Sequence, residues 1–198
     1  MPKLRQEIVR QLRDSAKTLN ATAKLAPDLE RAGEALIAAF RRGNKILTFG
    51  NGGSSCDAQN FADELVGRYR RNRAPLPALC LSVSQADLTS IGNDFGFEAV
   101  FARQLEAHGK PGDIAIAIST SGNSKNVLNA AESARKLGLL VVGLTGQDGG
   151  KLKDACDITI RVPSKSTARI QEAHITIIQI WCGLIEDALF PNAPAAHA

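Results

Sequence analysis

The apolar run Ile46-Leu47-Thr48-Phe49 passes directly into Gly50-Asn51-Gly52-Gly53-Ser54-Ser55, and this junction constrains the fold more than any other segment. A buried strand, a glycine-rich turn and a helix start, in that order, aim several backbone N–H groups at one point. That geometry receives a phosphate. The chemistry recurs downstream, where the apolar Ile114-Ala115-Ile116-Ala117-Ile118 is followed by Ser119-Thr120-Ser121-Gly122-Asn123-Ser124. Four hydroxyls and a helix N-terminus there offer a second set of donors to anionic oxygens. Two such units in one small chain favour a sugar phosphate over a nucleotide. A dinucleotide site fits poorly. The pattern G-x-G-x-x-G needs a glycine where Ser55 stands, and no acidic residue ends the strand Leu79-Cys80-Leu81-Ser82 to hold a ribose.

Around these loops, strands alternate with helices. Leu4, Ile8, Leu12 and Leu19 predict an amphipathic helix over residues 3–24, and a second over 27–42 is stopped by Gly43-Asn44. Strands are expected at 45–49, 78–82, 113–118, 139–144 and 157–162. Helices are expected from 55, through 84–108, from 123, and over 167–189, where Pro191 ends the last one. Short apolar strands separated by helices predict a single α/β domain over 1–198, with a central parallel sheet covered on both faces as a three-layer sandwich. The N-terminal helices occupy about 3–42, the sheet and its covering helices 45–189, and a tail expected to fray 191–198. Ligands of such sheets sit at the carboxyl ends of the strands, where both loops fall.

The bulk numbers narrow the function classes. A chain of 198 residues with 44% hydrophobic and 22% charged residues is expected to form one soluble domain. Its net charge of +4 suits an anionic ligand but is too small to imply nucleic acid. The start of the chain lacks the apolar core of a signal peptide, and no apolar run approaches the roughly 20 residues of a membrane span. Cys56, Cys80, Cys156 and Cys182 form no C-x-x-C pair, so reduced thiols in a cytoplasmic protein are expected. The basic run Arg68-Tyr69-Arg70-Arg71-Asn72-Arg73 reads as a solvated helix end whose cations complement the helix dipole. Without a helix-turn-helix signature it is a weak argument for DNA.

Taken together, Phe49-Gly50-Asn51-Gly52-Gly53-Ser54 with Asp57-Ala58-Gln59, then Gly92-Asn93-Asp94, Ser119-Thr120-Ser121-Gly122-Asn123-Ser124 and Arg169-Ile170-Gln171-Glu172 resemble the sugar isomerase (SIS) fold, and within it the phosphoheptose isomerases. The likeness covers nearly the whole chain. It implies aldose–ketose isomerisation of sedoheptulose 7-phosphate for lipopolysaccharide and related glycans, by a homotetramer with active sites at subunit boundaries. It also implies roles for residues. Asn51, Gly52 and Gly53 would lie against the substrate, and Asn93 and Asp94 would bond sugar hydroxyls. Ser119, Thr120, Ser121 and Ser124 would hold the phosphate, with Ser54 nearby. Glu64 would be the base that moves a proton between C1 and C2. Read alone, Ser-Thr-Ser-Gly is a capped helix start and Glu64 a solvated helix glutamate.

The resemblance further implies a zinc ion held by two histidines, a glutamate and a glutamine. Glu64 and Gln171 match the last two, but Asn60 and Gln179 occupy the histidine positions. Asn60 and Glu64 still share a helix face, about 40° apart. The remaining oxygen donors suit a harder cation than zinc, or no metal at all. A neutral amide exchanges no proton near pH 7, so Gln179 cannot be the general acid. No other histidine replaces it. His197 lies in the tail, His108 precedes the turn 109–112, and His174 lies about 140° around the last helix from Gln179. His174 is expected to be a packed histidine. A water held by Gln179, or the substrate's own hydroxyls, would then relay the proton.

Two function classes follow. The first is a sugar-phosphate isomerase with an altered metal site. The second is a non-catalytic sugar-phosphate sensor or scaffold. Residues 164–172 and 184–191 are also similar to the bacterial protein that binds the replication initiator DnaA, which would imply a protein partner.

Overall fold

The computed structural model describes residues 2–196; His197 lies outside the described residues. Its strands are β1 (Ile46–Gly50), β2 (Ala78–Cys80), β3 (Ile114–Ser119), β4 (Leu140–Thr145) and β5 (Ile158–Arg161), all paired in parallel in the order β2-β1-β3-β4-β5. Helices α1 (Pro2–Thr22), α2 (Ala26–Arg41), α3 (Gly53–Val66), α4 (Gln85–Phe95), α5 (Val100–His108), α6 (Lys125–Lys136), α7 (Leu152–Ala155) and α8 (Thr167–Leu189) complete the chain.

The alternation along the strands explains the three layers. In β3, Ile114, Ile116 and Ile118 face a core shared with α2, α3 and α8, around the buried Trp181 and Phe61. Ala115 and Ala117 point to the opposite face, against α5 and α6. There the small side chains Ala130, Ala131 and Ala134 of α6 meet the alanines of the strand. Each fully buried isoleucine contributes about 1.5–3 kcal/mol.

β1 leads through α3 to β2, on one side of the sheet, whereas β3 leads through α6 to β4, on the other. The strand order therefore reverses between β1 and β3, and a crevice opens at their carboxyl ends. Both glycine and serine loops flank that reversal.

The helices expected through 84–108 are two, α4 and α5, separated at Gly96, whose φ of +83° suits glycine. Two other expectations are corrected. The tail does not fray within the described residues. Asn72 N–H donates to Pro194 O at 2.9 Å and Ala196 N–H to Arg70 O at 2.8 Å, so the segment pairs with the chain after α3. The basic run is left to solvent only in part: Arg68 and Arg70 are exposed, whereas Arg71 and Arg73 are engaged. Arg71 pairs with Asp187 at 2.6 Å, and the Arg73 side chain is fully buried against Glu186 at 2.9 Å. Arg73 also donates to the carbonyls of Glu64 and Leu65, both at 2.7 Å, capping the end of α3. Glu186 accepts from the backbone N–H groups of Tyr69, Arg70 and Arg71 as well. A buried guanidinium and carboxylate are tolerated because nearly every donor and acceptor is used.

Candidate functional site

The first loop turns at Gly52, whose φ of +57° and ψ of −125° favour glycine, and α3 begins at Gly53. Ser82 fastens the base of this loop, donating to Gly50 O at 2.9 Å and accepting from Gly50 N–H at 3.2 Å. Ser54 is buried behind the turn. In the second loop the hydroxyl of Ser119 lies 3.2 Å from that of Ser124 and 3.5 Å from that of Ser121. Ser124 stands at the N-cap of α6, yet its side chain makes no capping bond. Three hydroxyls thus converge at a helix N-terminus, where the dipole and free N–H groups favour an anion. A cleft of about 370 Å³ opens beside Thr120 and Ser121, walled by Gln147, Ser164, Lys165 and Thr167.

The two loops are joined by Asn51 and Asn126, whose side-chain amides exchange hydrogen bonds of 2.8 and 2.9 Å. Asn126 is buried, and the sequence reading missed it. The available signal was a polar residue in the first turn of α6, directly behind the serine loop.

Helices α3 and α8 pack side by side in the same direction, and this contact builds the second half of the site. The amide of Gln171 lies against Gly53, so closely that a Cβ at 53 would collide with it. Further along, Gln179 Nε2 donates to Asn60 Oδ1 at 2.8 Å and to Glu64 Oε1 at 3.3 Å. The shared face of Asn60 and Glu64 is therefore real, and both meet Gln179. Gln171 stands at the start of α3 instead, and Glu64 lies eleven residues beyond Gly53, about 16 Å along the helix. The buried Cys182 thiol is pushed up to about 12 by desolvation first and by the Glu64 and Glu186 carboxylates next, so it stays protonated.

Asn93 and Asp94 are exposed on α4 and bond each other at 2.9 Å; among the described residues no hydrogen bond joins them to either loop. His174 is fully buried, with Nε2 3.1 Å from Thr145 O and its pKa lowered to about 4 by burial. It is the packed histidine expected. Asp57 is also buried, on the α3 stripe that carries Gly53, Asn60 and Glu64. Its Oδ2 has no hydrogen-bond partner, and burial raises its pKa to about 6.

The donors implied for a metal do not fit zinc. Glu64 is their single carboxylate, and Gln179 turns its NH₂ group, which binds no cation, toward both neighbouring oxygens. Among the described residues no group of three or more His, Cys, Asp or Glu is placed to hold a metal ion.

The sequence model of the SIS domain family matches residues 10–146. The phosphoheptose isomerase of Rhodospirillum rubrum is 52% identical over 164 residues, 83% of this chain and 87% of the relative. That of Geobacter metallireducens is 48% identical over 188 residues, 94% of this chain and 100% of the relative. Among solved structures, the phosphoheptose isomerase of Neisseria gonorrhoeae superposes with a TM-score of 0.89 at 38% identity, covering 93% of this chain and 99% of that one. The Francisella tularensis enzyme gives 0.90 at 37% identity, covering 94% and 100%.

Proposed function

The chain belongs to the phosphoheptose isomerase family of SIS-domain proteins, and on that footing we propose that it interconverts sedoheptulose 7-phosphate and the corresponding aldose heptose phosphate. The observation that carries this reading is the placement of two anion-binding loops on either side of the β1/β3 reversal, tied together by Asn51 and Asn126.

In this reading the hydroxyls of Ser119, Thr120, Ser121 and Ser124, with the N-terminus of α6, take the phosphate, and Ser54 lies nearby. Gly52 and Gly53 let the sugar approach the backbone of the first loop, while Asn51, Gln171, Asn93 and Asp94 bond its hydroxyls. The carboxylate of Glu64 removes the proton from one of the two reacting carbons and returns it to the other. Gln179 carries no exchangeable proton near neutral pH, so the adjacent oxygens exchange theirs through water or the sugar's own hydroxyls.

The 16 Å of helix between the first loop and Glu64 exceeds an extended seven-carbon chain. We therefore place each active site between subunits of a homotetramer, Glu64 of one copy serving the phosphate loops of another. In support, Leu4, Ile8 and Leu12 form an exposed apolar stripe on α1. An apolar groove of about 850 Å³ lies between α2 and α8, lined by Leu29, Ile37, Ile180 and Leu184. Four free cysteines support a cytoplasmic location, and no helix is long and apolar enough to cross a membrane among the described residues. The product would feed lipopolysaccharide or a related heptose-containing glycan.

Turnover of sedoheptulose 7-phosphate by the purified chain, abolished by Glu64→Gln, tests the activity. The lack of a titratable group at 60 and 179 favours a second reading, a sensor or scaffold that binds without chemistry. Sugar-phosphate binding with no turnover would select it.

A further inference from the structure

We infer that the Gln179 amide stands where a cation would have to stand, and that Asn60, Gln179 and Glu64 form a metal-free unit that positions Glu64. The inference rests on the isomerase reading only for the role of Glu64; the absence of a metal is a separate claim about the cluster.

Both hydrogens of the Gln179 NH₂ group are committed, one to Asn60 Oδ1 at 2.8 Å and one to Glu64 Oε1 at 3.3 Å. The group lies between a carbonyl and a carboxylate and satisfies both as a neutral double donor. A cation in the same place would need oxygens from all three residues. Gln179 would have to turn its amide over and present Oε1 to two other oxygens. The set would then hold one carboxylate and two neutral amides, and zinc prefers nitrogen or sulfur donors. Within one chain Gln171 does not complete it from its place against Gly53, and an amide reaching in from another copy would add only a further neutral oxygen. His174 on the same helix is turned away and committed to the Thr145 carbonyl.

The consequence is chemical. A carboxylate bound to a cation is a weaker base, because the ion's charge favours the ionised form. Here one oxygen of Glu64 is fixed by the Gln179 hydrogen bond, and Oε2 has no hydrogen-bond partner among the described residues, which leaves it to accept a proton. Gln179 is a positioning residue acting through Glu64.

The test is metal analysis of the full chain purified from zinc-supplemented cells, together with thermal melting in added zinc. The native protein and an Asn60→His, Gln179→His double variant are compared. The native chain is expected to carry substoichiometric zinc and to melt at the same temperature with or without it. The double variant, with two imidazoles beside Glu64, is expected to hold one zinc per chain and to melt several degrees higher when zinc is present. Stoichiometric zinc in the native chain, lost on Glu64→Gln, would overturn the inference. If the double variant does not fold, the native protein decides alone, since bound zinc refutes the inference and its absence supports it. Turnover of sedoheptulose 7-phosphate is expected to survive a chelator, and loss of rate restored by zinc would also overturn the inference. A chain that turns over no sugar phosphate would defeat the isomerase reading instead, while the metal analysis still decides this one.

Discussion

Asn51 and Asn126 exchange two hydrogen bonds, Nδ2 to Oδ1 in each direction, and so fix the turn after β1 to the first turn of α6. The pair sets the distance between the two loops, because neither amide can move without leaving the other unpartnered. The pair uses one hydrogen and one carbonyl lone pair of the Asn51 amide, so Asn51 holds the loop's backbone N–H groups in place and keeps a second hydrogen and a second lone pair for a sugar hydroxyl.

Asn126→Ala is expected to loosen that link. It removes both bonds and leaves the Asn51 amide without its partner, at a cost of about 1–3 kcal/mol in unfolding free energy. The larger signature is a raised KM for the sugar phosphate, since loop spacing changes while every phosphate-binding hydroxyl remains. Urea unfolding and steady-state kinetics measure the two effects.

Gly53→Ala separates stability from activity. The added methyl collides with the end of the Gln171 side chain, a flexible group that can swing aside. Alanine in a helix gains roughly 0.5–1 kcal/mol over glycine, so the melting temperature is expected to hold. The displaced Gln171 amide is expected to lower kcat/KM by up to about 100-fold. An unchanged kcat/KM would show that Gln171 is not a substrate contact.

Asp57 and His174 give opposite pH dependences. Between pH 3.8 and about 6 the folded chain keeps the Asp57 proton that the unfolded chain releases. Stability from this group is present at low pH and lost as pH rises through 6. His174 is neutral in the fold down to about pH 4, whereas the unfolded imidazole protonates below 6.5. Stability from this residue is lost as pH falls from 6.5 to 4. The two offset each other in the acid range. Asp57→Asn is therefore expected to stabilise the chain by about 1–2 kcal/mol at pH 8 and to expose a steeper loss between pH 6 and 4. Thermal melts across that range would reveal it.

Arg73→Met is expected to cost about 3–5 kcal/mol, because Glu186 would keep a buried charge without its partner. The carbonyls of Glu64 and Leu65 would also lose their donor, so the end of α3 that carries Glu64 should exchange its amide hydrogens faster than the rest of the helix. Hydrogen exchange resolves this from a uniform loss of stability.

The sequence by itself determined the strands, the two loops and the layered α/β architecture. Those features are local. An apolar run such as Ile114–Ile118 buries itself wherever it lies, and a glycine turn followed by a helix start aims its N–H groups regardless of neighbours. It also determined that Asn60 and Glu64 share a face and that His174 points away from Gln179, because helical periodicity fixes both. The tertiary structure alone decided what met across helices. The same basic run could have been solvated. Arg73 is buried because α8 brings Glu186 to it, a partner 113 residues away. Asn126 joins the site because α6 starts beside the turn after β1, and the Gln179 amide faces Asn60 and Glu64 because α3 and α8 run side by side. Such pairings depend on how rigid elements pack, and no spacing within one element encodes them.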